Sequence, residues 1–283
     1  MMKQVLRCVA LAGLAALAGL AQAGVANDIP SCYAANKIAL ALPAPATEVF
    51  VLVDQTTPLD PSLQQSVREN VGRLVKPGSA YVIASFSAFS QGRYLEVLSA
   101  GTLESQIEAK ARDGISVKLL RTFDGCMNGQ LDFGRRTAAA ALQKALAGTT
   151  TELGKSDVMG SLRELSKRVR QSAARDKIVF VASDMLENSG VSSFYASNNV
   201  RTIDAQAELK KAEAAQMLGD FGGARVFVLG AGLVQKNGSR QDSGVYRDPK
   251  TMAQLRAFWE QYFAASKASL VEFGAPALLM PVQ

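Results

Sequence analysis

The most constraining feature of the chain is the run Val49-Phe50-Val51-Leu52-Val53, followed directly by Asp54. Five apolar, mostly β-branched residues without alternation predict a strand buried on both faces. Such a strand needs a sheet covered on both sides. Tyr81–Phe86 is a second apolar strand, Ile178–Ala182 is again a buried one, and Val226–Leu229 and the short Leu270–Phe273 read as further strands. Helical segments lie between these runs. Asp60-Pro61 is an N-cap followed by proline at the first helical position, and Leu63, Val67, Val71 and Leu74 share one face until Lys76-Pro77-Gly78 stops the helix. Further helices are predicted over Asp132–Ala147, from Ser156-Asp157 to Arg170, over Ile203–Leu218, and from Asp248-Pro249 onward. In the last of these, Phe258, Trp259, Tyr262 and Phe263 spread wider than one stripe, so one or two of the rings are expected on a partner surface. Arg93–Leu98 alternates, which suits an antiparallel edge strand.

Strand and helix therefore alternate along most of the chain. The expected fold is a three-layer, doubly wound α/β domain with a mainly parallel sheet and one antiparallel edge strand, Rossmann-like in its winding. It is expected over residues 49–283, after an extended arm at 24–48. Ala100–Asp132 and Met185–Asn199 are the irregular stretches.

Residues 1–23 have the form of a signal peptide. Lys3 and Arg7 precede the apolar run Cys8–Leu20, and Ala21-Gln22-Ala23 offers a cleavage site before Gly24. The run is shorter than the roughly 20 residues a membrane span needs, so no stable insertion is expected after cleavage. A periplasmic or secreted location follows. Two cysteines remain, Cys32 and Cys126. An even count in an oxidising compartment predicts a disulfide, worth about 4–5 kcal/mol in the chain-entropy model. The formal charge of +6 loses the two leader cations on cleavage. The remaining excess gives no reason to expect a nucleic-acid partner.

The chain contains no histidine. That removes Ser-His-Asp and Cys-His catalysis and every His-ligated zinc site. What stands at the strand ends is oxygen chemistry. Asp54 closes the first buried strand, with Thr56 and Thr57 after it. Asp184 follows the fourth, with Glu187, Asn188 and Ser189 beyond. The hydroxyl-rich stretch Thr149–Thr151 and Ser156 lie between them. Ligands of doubly wound sheets sit beyond these carboxyl ends. Carboxylates and hydroxyls suit Mg²⁺ or another hard divalent cation. Gly230-Ala231-Gly232 lacks the third glycine of a dinucleotide motif.

Asp54-Gln55-Thr56, the helix start at Ser156-Asp157 and the pair Ser183-Asp184 together resemble the metal-dependent adhesion site of von Willebrand factor A-type domains, and the resemblance spans Val49 to Phe273. That family's pattern is Asp-x-Ser-x-Ser after the first strand, a threonine before a later helix and an aspartate after the fourth strand. Here the last serine falls on Pro58, which has no ligand atom, and a serine replaces the threonine. The resemblance implies a non-catalytic module that binds a protein partner in the cell envelope, with Asp54, Thr56, Ser156 and Asp184 around a divalent cation. Two other readings remain open: a cation-dependent phosphate hydrolase with Asp54 as nucleophile, and a structural subunit of an envelope complex.

Overall fold

The computed structural model describes residues 27–90, 93–151, 153, 155–196, 199–233 and 248–283. The signal-peptide segment lies outside these residues. In chain order the elements are α1 (Cys32–Ala35), β1 (Thr47–Asp54), α2 (Pro61–Leu74), β2 (Ser79–Ser90), β3 (Arg93–Thr102), α3 (Ala109–Arg112), α4 (Val117–Ala147) and α5 (Val158–Gln171). They continue as β4 (Asp176–Ala182), β5 (Tyr195–Ala196), β6 (Asn199–Val200), α6 (Ala205–Ala214), β7 (Ala224–Leu229), α7 (Pro249–Ala265) and β8 (Ala268–Phe273).

Six strands form one sheet in the order β3-β2-β1-β4-β7-β8. All pairings are parallel except β2 with β3, so the antiparallel strand stands at the edge. Strand order reverses beside β1, which sits between β2 and β4. Residues Phe50 to Asp54 are all buried, as a strand covered on both faces requires. Phe50 and Leu52 face a core completed by α5 and α7, while Val49, Val51 and Val53 face one completed by α2 and α4. Burying one such side chain contributes about 1.5–3 kcal/mol. The register places Val53 beside Ala182, so the strand-end residues Asp54 and Ser183 lie next to each other.

Three local readings are corrected. The helix expected from Asp132 begins at Val117, capped by Ser116, whose hydroxyl accepts from the Leu119 amide. The first half of α4 packs on a small separate core of Cys32, Tyr33, Ile107, Phe123 and Met127, away from the sheet. Its apolar stripe therefore depends on the folded arm and not on sheet contacts. The arm is not simply extended. Ser31 caps the short helix α1, and Cys32 is joined to Cys126 of α4 by a disulfide. Asp28 also lies along β3, with its amide on the Ala100 carbonyl at 2.9 Å. Finally, α6 is confined to Ala205–Ala214 and closes at Gln216, whose φ is +56°.

The aromatic cluster of α7 is also settled differently from the sequence reading. Phe258, Trp259, Tyr262 and Phe263 are all fully buried, so none of these rings lines a surface. Their rings stack edge to face against one another and against Phe194 and Phe221.

Candidate functional site

Three chain segments meet at the carboxyl end of β1 and β4: the loop after β1, the lead-in to α5, and the loop after β4. Asp54 is their common anchor and is fully buried. Its Oδ1 accepts from the Thr56 amide at 2.9 Å and the Thr56 hydroxyl at 2.6 Å. Its Oδ2 accepts from the Ser183 hydroxyl at 2.7 Å and the Ser156 hydroxyl at 3.2 Å. One carboxyl group thus ties all three segments together. Burial pushes its pKa upward, and the hydrogen bonds from Thr56, Ser183 and Ser156 oppose that shift.

Asp184 is placed differently. It is half-buried, its Oδ1 accepts from the Leu186 amide at 2.9 Å, and its carbonyl accepts from the Gly232 amide at 2.9 Å. The Asp184 amide reaches the buried Thr57 hydroxyl at 3.4 Å. Thr57 therefore links the β1 and β4 loops, and Pro58 follows it. The glycines after β7 serve this meeting of loops. Gly230 has φ +98°, and a Cβ there would stand 3.1 Å from the Ser183 carbonyl oxygen.

The loop after β4 is held under strain. Met185 has φ +60°, a left-handed conformation that a non-glycine side chain disfavours. Two bonds hold it there: its amide donates to Ser183 Oγ at 2.9 Å, and its carbonyl accepts from Trp259 Nε1 at 2.9 Å. Further along, the Asn188 amide donates to the Ser156 carbonyl at 2.8 Å, and Glu187 Oε2 accepts from the Met159 amide at 2.9 Å. Asp157 caps α5 through the Gly160 amide at 2.8 Å.

The structure thus brings Asp54, Thr56 and Ser156 into direct contact, and sets Asp184 on the adjoining loop. Sequence reasoning missed Ser183 as a partner of Asp54. The parallel register of β1 and β4 is the signal that would have found it. Thr149 and Thr150 serve the scaffold: the Thr149 hydroxyl returns to the Leu146 carbonyl, and the Thr150 amide donates to the Gln55 carbonyl.

The donor set suits a hard cation in kind. Thr56 and Ser156 each give their proton to Asp54 and keep hydroxyl lone pairs, which are neutral oxygen ligands. Among the described residues no three Asp, Glu, Cys or His side chains gather closely enough to hold a metal by themselves. Any cation here leans on hydroxyl oxygens.

No protein-family model matches the sequence, and no curated protein does. The fold is similar to that of an aerotolerance-related membrane protein from Bacteroides fragilis NCTC 9343, with 13% identity and a TM-score of 0.37 over 80% of this chain and 91% of that one. BatB from Bacteroides thetaiotaomicron gives 12% identity and a TM-score of 0.37, covering 81% and 90% of the two chains. The manganese-loaded TRAP protein of Plasmodium vivax gives 13% identity and a TM-score of 0.30, covering 65% and 57%.

Proposed function

We propose that this is an exported, non-catalytic binding module of von Willebrand A type, and that a protein partner in the cell envelope docks on the loop face around Asp54. The observation that carries this reading is the state of Asp54: fully buried, with each carboxylate oxygen accepting two hydrogen bonds. A nucleophile must reach its substrate, and this group is spent on fixing three loops. The geometry therefore favours a rigid recognition face over a phosphate hydrolase. Export is supported by the leader pattern and by the Cys32–Cys126 disulfide. No described helix is long and apolar enough to cross a membrane.

Thr56 and Ser156 are the residues that would hold a divalent ion, Mg²⁺ or another hard cation, with Asp54 as the charge behind them and Asp184 as the charge beside them. Such an ion would offer an acidic group of the partner a coordination position. The chain's own residues supply the fixed frame, since the hydroxyls of Thr56, Ser156 and Ser183 are oriented by one carboxyl.

Photo-crosslinking in intact cells tests the docking face. A photoreactive residue at Leu153, exposed in the loop leading to Ser156, is expected to capture one protein, and one at Phe133, exposed on α4, is not. Equal capture at both positions contradicts the reading. Hydrolysis of p-nitrophenyl phosphate that disappears in Asp54→Asn replaces it with the hydrolase.

A further inference from the structure

Glu187 is an acid with no role in the fold's charge pairing. Its side chain is fully buried at the start of α5. The Ser189 hydroxyl and the Met159 and Val158 amides donate to the carboxyl group, with Met159 on Oε2 at 2.9 Å, while Oε1 has no hydrogen-bond partner. The titratable groups that act on it are Asp157, the N-cap of α5, and Tyr262 on α7, both of which also feel Arg163 of α5. Asp157 is a second carboxyl, itself pushed upward by burial. Tyr262 spends its hydroxyl on the Met217 carbonyl at 2.8 Å and the Met159 carbonyl at 3.3 Å. Burial and the bare Oε1 disfavour a charge here, against the hydrogen bonds that favour one.

The position of this acid matters because of its neighbours. Asn188 binds the Ser156 carbonyl, and the Phe194 amide donates to the Glu187 carbonyl at 2.8 Å. Glu187 thus stands where the loop after β4 grips the lead-in to α5. Ser156, one of the three hydroxyls on Asp54, lies in that lead-in.

We propose that Glu187 is a positioning residue, a proton-controlled latch that holds the loop after β4 against the start of α5 and so keeps Ser156 on Asp54. The latch rests on the reading of this face as the binding site for its functional meaning, though not for its physics. Burial lifts the Glu187 pKa to about 8. Below that pH the neutral acid sits comfortably under the loop. Above it a buried anion faces Asp157, and the loop loosens.

The molecule contains its own reporter. Trp259 is the only tryptophan in the chain, is fully buried, and donates its indole N–H to the Met185 carbonyl at the root of this loop. Tyr262, packed on Trp259 with ring centroids 5.2 Å apart, has its pKa pushed far upward by burial and does not ionise in the same range. The test is Trp259 emission from pH 6 to 9.5 in the wild type and in Glu187→Gln, whose amide oxygen can still accept from Met159. The expected result is a sigmoidal change in the wild type with its midpoint near 8, absent in Glu187→Gln. A flat wild-type profile, or the same transition in the variant, overturns the latch. Hydrogen exchange in the wild type alone covers a variant that does not fold. Amides of 186–194 should lose protection above pH 8 relative to those of β1, and equal behaviour refutes the proposal. Titration with Mg²⁺ at pH 7 reads the binding site separately. A tryptophan transition without Mg²⁺ binding leaves the latch intact and removes the cation.

Discussion

Asp54 and Glu187 are both fully buried acids at the carboxyl end of the sheet, and the fold treats them in opposite ways. Asp54 receives donors on both oxygens from three segments, whereas the donors to Glu187, from Ser189, Met159 and Val158, leave Oε1 bare. Burial raises both pKa values against the hydrogen bonds each group receives, but only at Asp54 do those bonds reach both oxygens. A buried carboxyl is costly unless its lone pairs are satisfied. Asp54 therefore joins loops with both oxygens satisfied, while Glu187 keeps one buried oxygen without a donor.

The comparison breaks most easily at Asp54. Asp54→Ala strands the Thr56, Ser156 and Ser183 hydroxyls in a buried space and is expected to cost about 3–5 kcal/mol, measured by urea unfolding. A loss below about 1 kcal/mol would mean these bonds contribute little. Glu187→Gln is expected to act in the opposite direction. Relief of the penalty at pH 7 is worth on the order of 2 kcal/mol, a rise of a few degrees in Tm. An unchanged or lower Tm with native spectra would place Glu187 with Asp54 as a settled group.

The pH dependence sharpens the same contrast. A carboxyl whose pKa is higher in the folded state binds its proton more tightly there. The stability this gives is complete below the ordinary glutamate range and is lost as pH rises to about 8, with no further change above. Tm of the wild type should fall across that window, and Glu187→Gln should flatten the slope. A wild-type slope that survives in the variant assigns the effect elsewhere. The smallest effect is expected from Ser183→Ala, which removes one of four donors and should cost about 1 kcal/mol. If it costs as much as Asp54→Ala, the four bonds act as one unit.

Much of the scaffold was legible because its signals are local. The run Val49–Val53, the caps Asp60-Pro61 and Asp248-Pro249, and the alternation at Arg93–Leu98 each encode an element in a few residues. Asp54 was legible for the same reason, as an acid ending an apolar strand. The first half of α4 was not, since Phe123 and Met127 find their core only after the arm folds and Cys32 meets Cys126. Glu187 stood among the oxygen groups after the fourth strand, in an irregular stretch rich in Ser and Asn, and nothing local marked it as buried. Its burial comes from α5 and α7, far away in sequence. Ser183 required the strand register, which the sequence does not print.

The proposed role of the Asp54 face as a cation-assisted binding site is tested most directly by calorimetric titration with Mn²⁺ at pH 7, using the wild type, Asp54→Asn and Glu187→Gln in parallel. Equal binding at one site is expected in the wild type and Glu187→Gln, with loss of binding in Asp54→Asn. No heat in the wild type, or the same heat in Asp54→Asn, contradicts it.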